Sequence, residues 1–167
     1  MCDIIAFLHN KCHVCHLDIS LENFTIKGFK IDNEYKIINH GQVYICDFGL
    51  AEVFANSFCI NKYCGKAQYQ APEMAAKLDW IDARKCDIWS LGICGFMMQI
   101  GVAPLNSAQI SDPFYCNIIS GHLYTMIKNN NKSKYCDEHF ISLMNGMLTP
   151  QNNRYDISQI LKHKYFI

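Results

Sequence analysis

The chain has 167 residues, of which 50% are hydrophobic and 18% are charged, and its formal net charge is zero. A chain of this length can bury one sizeable core, and the lack of a basic excess argues against a nucleic-acid-binding protein. Ten cysteines, with no basic start or apolar leader over residues 1–10, predict an intracellular, cytoplasmic protein whose thiols are reduced and mostly buried.

The first half of the chain is predicted to alternate helix and short strands. A helix is expected over residues 3–10 and a short strand over 12–15. Two β-rich segments, 24–26 and 42–46, flank the polar stretch 27–41. Because that stretch is long and contains glycines at both ends, it predicts an extended hairpin or a mobile surface loop.

The second half is predicted to be mainly helical. The longest apolar run, Ile88 to Ile100, is too short to span a bilayer, so it is expected to be a buried helix within residues 84–101. Further amphipathic helices are expected over 112–119 and 137–148, and the Asn/Lys-rich connection 128–134 is expected to be exposed. Asp156, with a glutamine three residues later, has the capping-box pattern that begins a last helix.

Three polar side chains occur in the order and spacing that phosphoryl transfer requires. Asp18 and Asn23 lie in one predicted loop, and Asp47 opens an Asp-Phe-Gly run in a later loop. Phosphoryl transfer needs one carboxylate to orient the attacking hydroxyl, and a second carboxylate with an amide oxygen to hold magnesium. Each residue alone could be an ordinary turn residue. The combined spacing favours the catalytic interpretation.

Further motifs follow at matching positions. They are Ala71-Pro72-Glu73, Asp87-Ile88-Trp89-Ser90-Leu91-Gly92, Arg154 and His163-Lys164-Tyr165-Phe166. With them, the chain resembles the eukaryotic protein kinase family of the serine/threonine type. The resemblance implies a mainly α, protein-kinase-like C-terminal lobe. In that lobe a helical bundle is joined to a short β-hairpin that carries the catalytic and Asp-Phe-Gly loops. Residues 1–167 would form one partial catalytic domain.

The resemblance also implies the chemistry of the site. ATP and Mg²⁺ would be the cofactors, and a protein would be the substrate, with no nucleic acid and no membrane span. Asp18 would be the catalytic base or the group that orients the substrate hydroxyl. Asn23 and Asp47 would be the metal ligands, since an oxygen-only site suits magnesium. The implied nucleotide-binding residues are Ser20, Glu22, Asn23, Thr25 and Asp47.

Other matched residues are implied to be scaffolding. Asp87 should accept hydrogen bonds from the backbone near His16, and Phe48 should stack with His16 in an apolar spine. Glu73 and Arg154 should form a buried ion pair. Thr25 is unusual, because the family places an apolar side chain under the adenine, and a β-branched strand residue without a ligand explains it equally well.

Two departures from the family pattern weaken the charged part of the site. Leu17 replaces the arginine before the catalytic aspartate, so the chain is of the non-RD type. Ser57 is the only serine or threonine between Asp47 and Tyr69. Since that arginine normally binds a phosphate on the activation segment, residues 50–70, we expect no ordinary regulation by phosphorylation there.

The second departure concerns the transferred phosphate. Ser20 replaces the lysine that neutralises this phosphate in serine/threonine kinases, and Lys66 stands where a threonine usually bonds to that lysine and the aspartate. Lys66 could reach inward and restore a positive charge near Asp18. The expectation is that it lies in solvent, as most lysines do.

The resemblance covers only one of the two lobes of a kinase. No Gly-x-Gly-x-x-Gly loop, phosphate-pairing lysine or partner glutamate precedes His16. A truncated sequence is favoured, since a helix cut partway is a poor natural start, and a natural half-kinase is the alternative. Two functions therefore compete: a protein kinase fragment that is inactive by itself, or a pseudokinase or half-kinase that binds proteins without catalysis.

A Cys-x-x-Cys-His run, Cys12 to His16, fits a haem-attachment or half zinc site. Neither interpretation is favoured. His16 already belongs to the kinase pattern, and no second Cys/His pair completes a zinc site.

Overall fold

The computed structural model describes residues 1–55, 57–129, 134 and 136–167. In these residues the helices are α1 (Cys2–Phe7), α2 (Pro72–Ala75), α3 (Ala83–Ile100), α4 (Pro113–Ile119), α5 (Leu123–Asn129), α6 (Glu138–Met147) and α7 (Ile157–Leu161). The strands are β1 (Val14–Cys15), β2 (Phe24–Lys27), β3 (Lys30–Ile31), β4 (Ile37–Asn39), β5 (Gln42–Ile45), β6 (Glu52–Val53), β7 (Cys59–Ile60) and β8 (Ile81–Asp82). They pair as four two-stranded sheets: β1–β6, β2–β5, β3–β4 and β7–β8.

The long helix α3 forms the centre of the core. Its side chains Ile88, Trp89 and Ile93 are fully buried, and the helix packs against α6, β1 and β8. Asp82 caps its N-terminus by accepting a hydrogen bond from the Arg84 N–H at 2.9 Å. The apolar run predicted as a buried helix is therefore confirmed. Among the helices in the described part of the chain, none has both the length and the apolarity needed to cross a bilayer.

The polar stretch between the two β-rich segments is an extended hairpin. Strands β2 and β5 pair antiparallel, with Phe24 opposite Ile45, and the smaller β3–β4 pair continues the hairpin beyond Gly41. Gly41 has a φ of 71°, and a Cβ atom there would lie 2.7 Å from the carbonyl oxygen of Lys27. A side chain at that position would collide with the neighbouring strand. The open inner end of the hairpin faces the two candidate catalytic loops.

Several element boundaries differ from prediction. The first helix does not end at Asn10 but continues as a π-helical segment, Leu8–Cys12. Helix α5 was not predicted, and it includes the start of the expected Asn/Lys-rich connection, of which residues 130–133 lie outside the described part. The predicted capping box is confirmed: Asp156 accepts from the Gln159 N–H at 2.8 Å, and the Gln159 side chain accepts from the Asp156 N–H at 2.8 Å.

The prediction of mostly buried cysteines is wrong. All ten cysteines are free thiols, but only Cys15, Cys86 and Cys94 are buried. The exposed thiols are those of Cys12, at the end of the π-helical segment, Cys46, directly after β5, and Cys59, at the start of β7. The described chain has seven α-helices and eight short strands in four small sheets, so its content is mixed rather than mainly α, although helices hold more residues than strands.

Candidate active site

A buried carboxylate on α3 binds the backbone at the start of the candidate catalytic loop. Asp87 accepts hydrogen bonds from the His16 and Leu17 N–H groups, both at 2.8 Å, and from Nε2 of His9 at 2.8 Å. Leu17 has a left-handed backbone φ of 62°, which is uncommon for any residue other than glycine. The predicted bond from Asp87 to the backbone near His16 is confirmed. The contribution of His9 was not predicted.

Asp18 and Asn23 lie in direct contact. The side-chain Nδ2 of Asn23 donates to the carbonyl oxygen of Asp18 at 2.7 Å and to its Oδ2 at 3.2 Å. Asn23 is buried in a 3₁₀ turn, Leu21–Asn23, which leads directly into β2. Because the amide nitrogen is committed to Asp18, the amide oxygen of Asn23 remains available as an acceptor or metal ligand.

The second loop is attached to the first by both backbone and ring contacts. The Cys46 N–H donates to the Asn23 carbonyl oxygen at 2.9 Å, so the β2–β5 ladder continues to the residue before Asp47. Nε2 of His16 donates to the Cys46 carbonyl at 3.1 Å, and the ring centroids of His16 and Phe48 are 4.9 Å apart. Asp18, Asn23 and Asp47 are therefore brought to one end of the hairpin.

Asp47 is exposed and has a left-handed φ of 63°. Its Oδ1 accepts a hydrogen bond from the Gly49 N–H at 3.3 Å. The exposed Asp47 carboxylate and the amide oxygen of Asn23 form an oxygen-only donor set. Such a set suits a hard cation that retains several waters, as Mg²⁺ does.

The residues implied to contact the nucleotide have very different environments. Ser20 is fully buried, whereas Glu22 and Thr25 are exposed, with Thr25 paired to Tyr44 across the hairpin. The pKa of Glu22 is lowered, first by a hydrogen bond from its own backbone N–H and then by the Ser20 hydroxyl and the charge of Lys66. The backbone of Thr25 takes part in the antiparallel pairing of β2 with β5.

Lys66 does not lie free in solvent, contrary to expectation. Its ammonium group donates to Oγ of Ser20 at 2.7 Å and lies 3.6 Å from Oε2 of Glu22. A buried hydroxyl and a nearby carboxylate give the lysine two acceptors that the sequence pattern alone did not reveal. The side chain is still 46% exposed, so Lys66 is half in solvent while its ammonium group contacts Ser20 and Glu22.

The activation segment lies directly on the catalytic loop. Gly65 has a φ of 86°, and a Cβ atom there would lie 3.0 Å from the Leu17 carbonyl oxygen and 3.7 Å from Oδ1 of Asp18. The Cys64 thiol faces the same Leu17 carbonyl at 3.9 Å, and burial raises the pKa of this thiol. The Leu17 side chain is 5% exposed, so the position of the missing arginine is part of the hydrophobic core.

The predicted buried ion pair is present. Arg154 donates to Glu73 through two nitrogens, at 2.6 and 2.9 Å, and both side chains are buried. Arg154 also donates to the carbonyl oxygens of Lys85 and Thr149, at 2.7 and 3.0 Å. These bonds connect α2, which follows the activation segment, to the C-terminal part of the chain and satisfy most of the guanidinium group.

The Cys-x-x-Cys-His run forms no compact cluster of its own. Cys12 is exposed, while Cys15 is buried and lies near His9 and Asp87, with their potential ligand atoms within 4.8 Å of one another. The Asp87 carboxylate already accepts three hydrogen bonds, and burial raises the pKa of the Cys15 thiol. A neutral thiol beside a fully bonded carboxylate is better explained as packing than as a metal site.

The comparisons with known proteins agree with this arrangement. A family profile described as "Protein kinase domain" matches residues 1–166. A "Probable serine/threonine-protein kinase" of Dictyostelium discoideum is 26% identical over 166 residues, which cover 98% of this chain and 17% of that protein. "Serine/threonine-protein kinase 33" of Bos taurus is 36% identical over 104 residues, covering 60% of this chain and 20% of that protein.

A third relative, the "Probable cell cycle serine/threonine-protein kinase CDC5 homolog" of Encephalitozoon cuniculi, is 30% identical over 166 residues. That match covers 96% of this chain and 31% of the relative, so the chain spans less than a third of each of these three proteins. The profile match covers nearly the whole chain, and the loops of Asp18, Asn23 and Asp47 meet at one end of the hairpin. The chain belongs to the protein kinase domain family.

Proposed function

We propose that residues 1–167 are the C-terminal lobe of a protein kinase catalytic domain. The full-length protein would transfer the γ-phosphate of ATP to serine or threonine hydroxyls of a protein substrate. The serine/threonine kinase names of the relatives support this specificity. The ten free thiols support a cytoplasmic location for the whole protein, where thiols stay reduced.

In this proposal Asp18 orients the substrate hydroxyl and accepts its proton. Asn23 fixes Asp18 through its amide nitrogen. The amide oxygen of Asn23 and the Asp47 carboxylate would hold the magnesium ions. The Mg²⁺–ATP complex supplies the phosphoryl group and the charge neutralisation that its transfer needs. Glu22, Ser20 and Thr25 would lie along the nucleotide side of the site.

The observation that carries the proposal is the attachment of the two loops to each other. The bond from the Cys46 N–H to Asn23 and the packing of Phe48 on His16 hold Asp47 beside Asn23 and Asp18. Catalysis by orientation and electrostatics depends on such fixed placement, because a small displacement of the reacting groups lowers the rate strongly.

The test is phosphoryl transfer from γ-labelled ATP to a degenerate serine/threonine peptide library by the natural protein that contains this chain. Asp18→Asn should abolish transfer but retain binding, whereas Asp47→Ala should abolish both transfer and the magnesium-dependent thermal shift with ATP. Asp79→Asn, an exposed aspartate distant in sequence from both loops, is the matched control and should behave as wild type. Equal transfer by wild type and Asp18→Asn would contradict the proposal.

The alternative function is a binding module without catalysis. Leu17 and Ser20 depart from the family pattern, and Ile26 and Tyr44 on the hairpin are 56% and 43% exposed, which would suit a protein partner. This alternative predicts no transfer by wild type and no magnesium-dependent shift with ATP. As one lobe, the 167 residues alone should bind ATP only weakly, and a micromolar affinity would contradict the one-lobe assignment.

A further inference from the structure

Two side chains that depart from the family pattern are bonded to each other. Ser20 occupies the usual lysine position and Lys66 the usual threonine position, and Nζ of Lys66 donates to Oγ of Ser20 at 2.7 Å. The family arrangement pairs an ammonium group on the catalytic loop with a hydroxyl on the activation segment. Here the ammonium and the hydroxyl have exchanged chain positions, and the bond between the two loops is kept.

The position of Lys66 is close to the proposed reacting groups. It follows Gly65, where a Cβ atom would lie 3.7 Å from Oδ1 of Asp18. Asp18 and Lys66 line one small cavity between the catalytic loop and the activation segment, and Lys66 is the only lysine or arginine among the described residues that line it. Among these residues, Lys66 is therefore the candidate cation for a phosphate bound near Asp18.

Lys66 has hydrogen-bond donors left over that could bind an anionic ligand. An ammonium group has three N–H donors, and Ser20 takes one of them. The contact with Glu22 is long, at 3.6 Å, and the Lys66 side chain is 46% exposed, so this ion pair is weak and easily exchanged for a phosphate oxygen. The buried Ser20 hydroxyl fixes the direction of the lysine without neutralising it.

We propose that Lys66 is a catalytic residue that binds the transferred phosphate, taking over the charge that the lysine at position 20 supplies in the family, and that Ser20 is its positioning residue. This inference rests on the proposed kinase function. During transfer the bond between the γ-phosphorus and the β–γ bridging oxygen breaks, and the substrate oxygen bonds to that phosphorus. The hydroxyl proton goes to Asp18, and ADP leaves with the bonding electron pair. Lys66 stabilises the negative charge on the γ-phosphoryl oxygens.

The test uses variants of the natural protein that contains this chain. They separate the effect of the Lys66 charge from the effect of its position and from loss of folding. Lys66→Met should lower kcat for phosphoryl transfer about 100-fold and change the KM for ATP far less, because the charge acts mainly in the transition state. Lys66→Arg should retain most of the activity. The double exchange Ser20→Lys with Lys66→Thr should restore activity, since it returns the charge to the other loop.

The control is Lys62→Met, a lysine of the same segment that pairs with Glu52 and should not affect transfer when changed. Lys66→Met, Lys66→Arg and Lys62→Met should unfold at nearly the wild-type temperature, because a half-exposed lysine contributes little to stability. The double exchange introduces a lysine at the buried position 20, so its kcat is calculated per folded molecule. Wild-type kcat in Lys66→Met, failure of the double exchange to recover, or an activity loss that matches a loss of folded protein would each overturn the role of Lys66.

The two proposals fail differently. If wild type transfers phosphate and Asp18→Asn does not, but Lys66→Met is as active as wild type, only the assignment of Lys66 is wrong. If wild type and Asp18→Asn are equally inactive, the kinase function fails and the role of Lys66 fails with it.

Discussion

Replacing Asp87 with asparagine tests how strongly the catalytic loop depends on one buried carboxylate. Oδ1 of Asp87 accepts one hydrogen bond, from Leu17, and Oδ2 accepts two, from His16 and His9. The least harmful orientation of the amide places its NH₂ group at the Oδ1 position. The buried Leu17 N–H then faces another donor, and the two remaining bonds lose their charged acceptor.

A hydrogen bond to a charged group contributes about 1.5–3 kcal/mol, and an unsatisfied buried donor costs about 1–3 kcal/mol. We therefore expect Asp87→Asn to lower the free energy of unfolding of the domain by about 2–4 kcal/mol, a large part of the roughly 5–15 kcal/mol that a domain has in total. Urea unfolding at neutral pH measures the loss, and Asp79→Asn is again the control.

Amide hydrogen exchange gives the local measurement. Exchange at His16 and Leu17 should accelerate in Asp87→Asn more than exchange in the middle of α3, because the loop is released before the helix unfolds. Phosphoryl transfer should fall as well, since Asp18 follows these two amides directly. An unchanged urea midpoint together with unchanged protection at both amides would refute the argument that this carboxylate holds the loop.

Three other predictions concern the scaffold and its regulation. Arg154→Met should destabilise the domain by about 3–5 kcal/mol in urea unfolding, because Glu73 stays buried without its charged partner, and an unchanged midpoint would contradict this. Burial raises the pKa of Asp112, but four backbone N–H donors outweigh it and lower that pKa. The wild-type advantage over Asp112→Asn should therefore be complete above about pH 4 and vanish as the pH falls through the lowered pKa. Ser57→Glu should not raise activity, since Leu17 provides no charge to bind it, and strong activation would contradict that expectation.

The central helix and the contact between the two candidate catalytic loops could be predicted from the sequence, and the chemistry of those loops stays a prediction. Asp18, Asn23 and Asp47 were identified by spacing, and the apolar run of α3 required burial whatever its neighbours. These conclusions depend on residue type and local order, which the sequence contains directly. The extended hairpin was predicted for the same reason, from its glycines and flanking β-rich segments.

Other features required the folded chain. His9 and Asp87 are 78 positions apart, and Ser20 and Lys66 are 46 apart, so no local pattern indicates that either pair meets. The expectation that Lys66 lies in solvent followed the usual behaviour of lysine. It was only half right, because the side chain is 46% exposed but a buried hydroxyl from another loop binds its ammonium group. The sequence alone therefore indicated which groups are candidates for chemistry. The tertiary structure decided which of them meet, because the direction of a long side chain depends on acceptors contributed by distant segments.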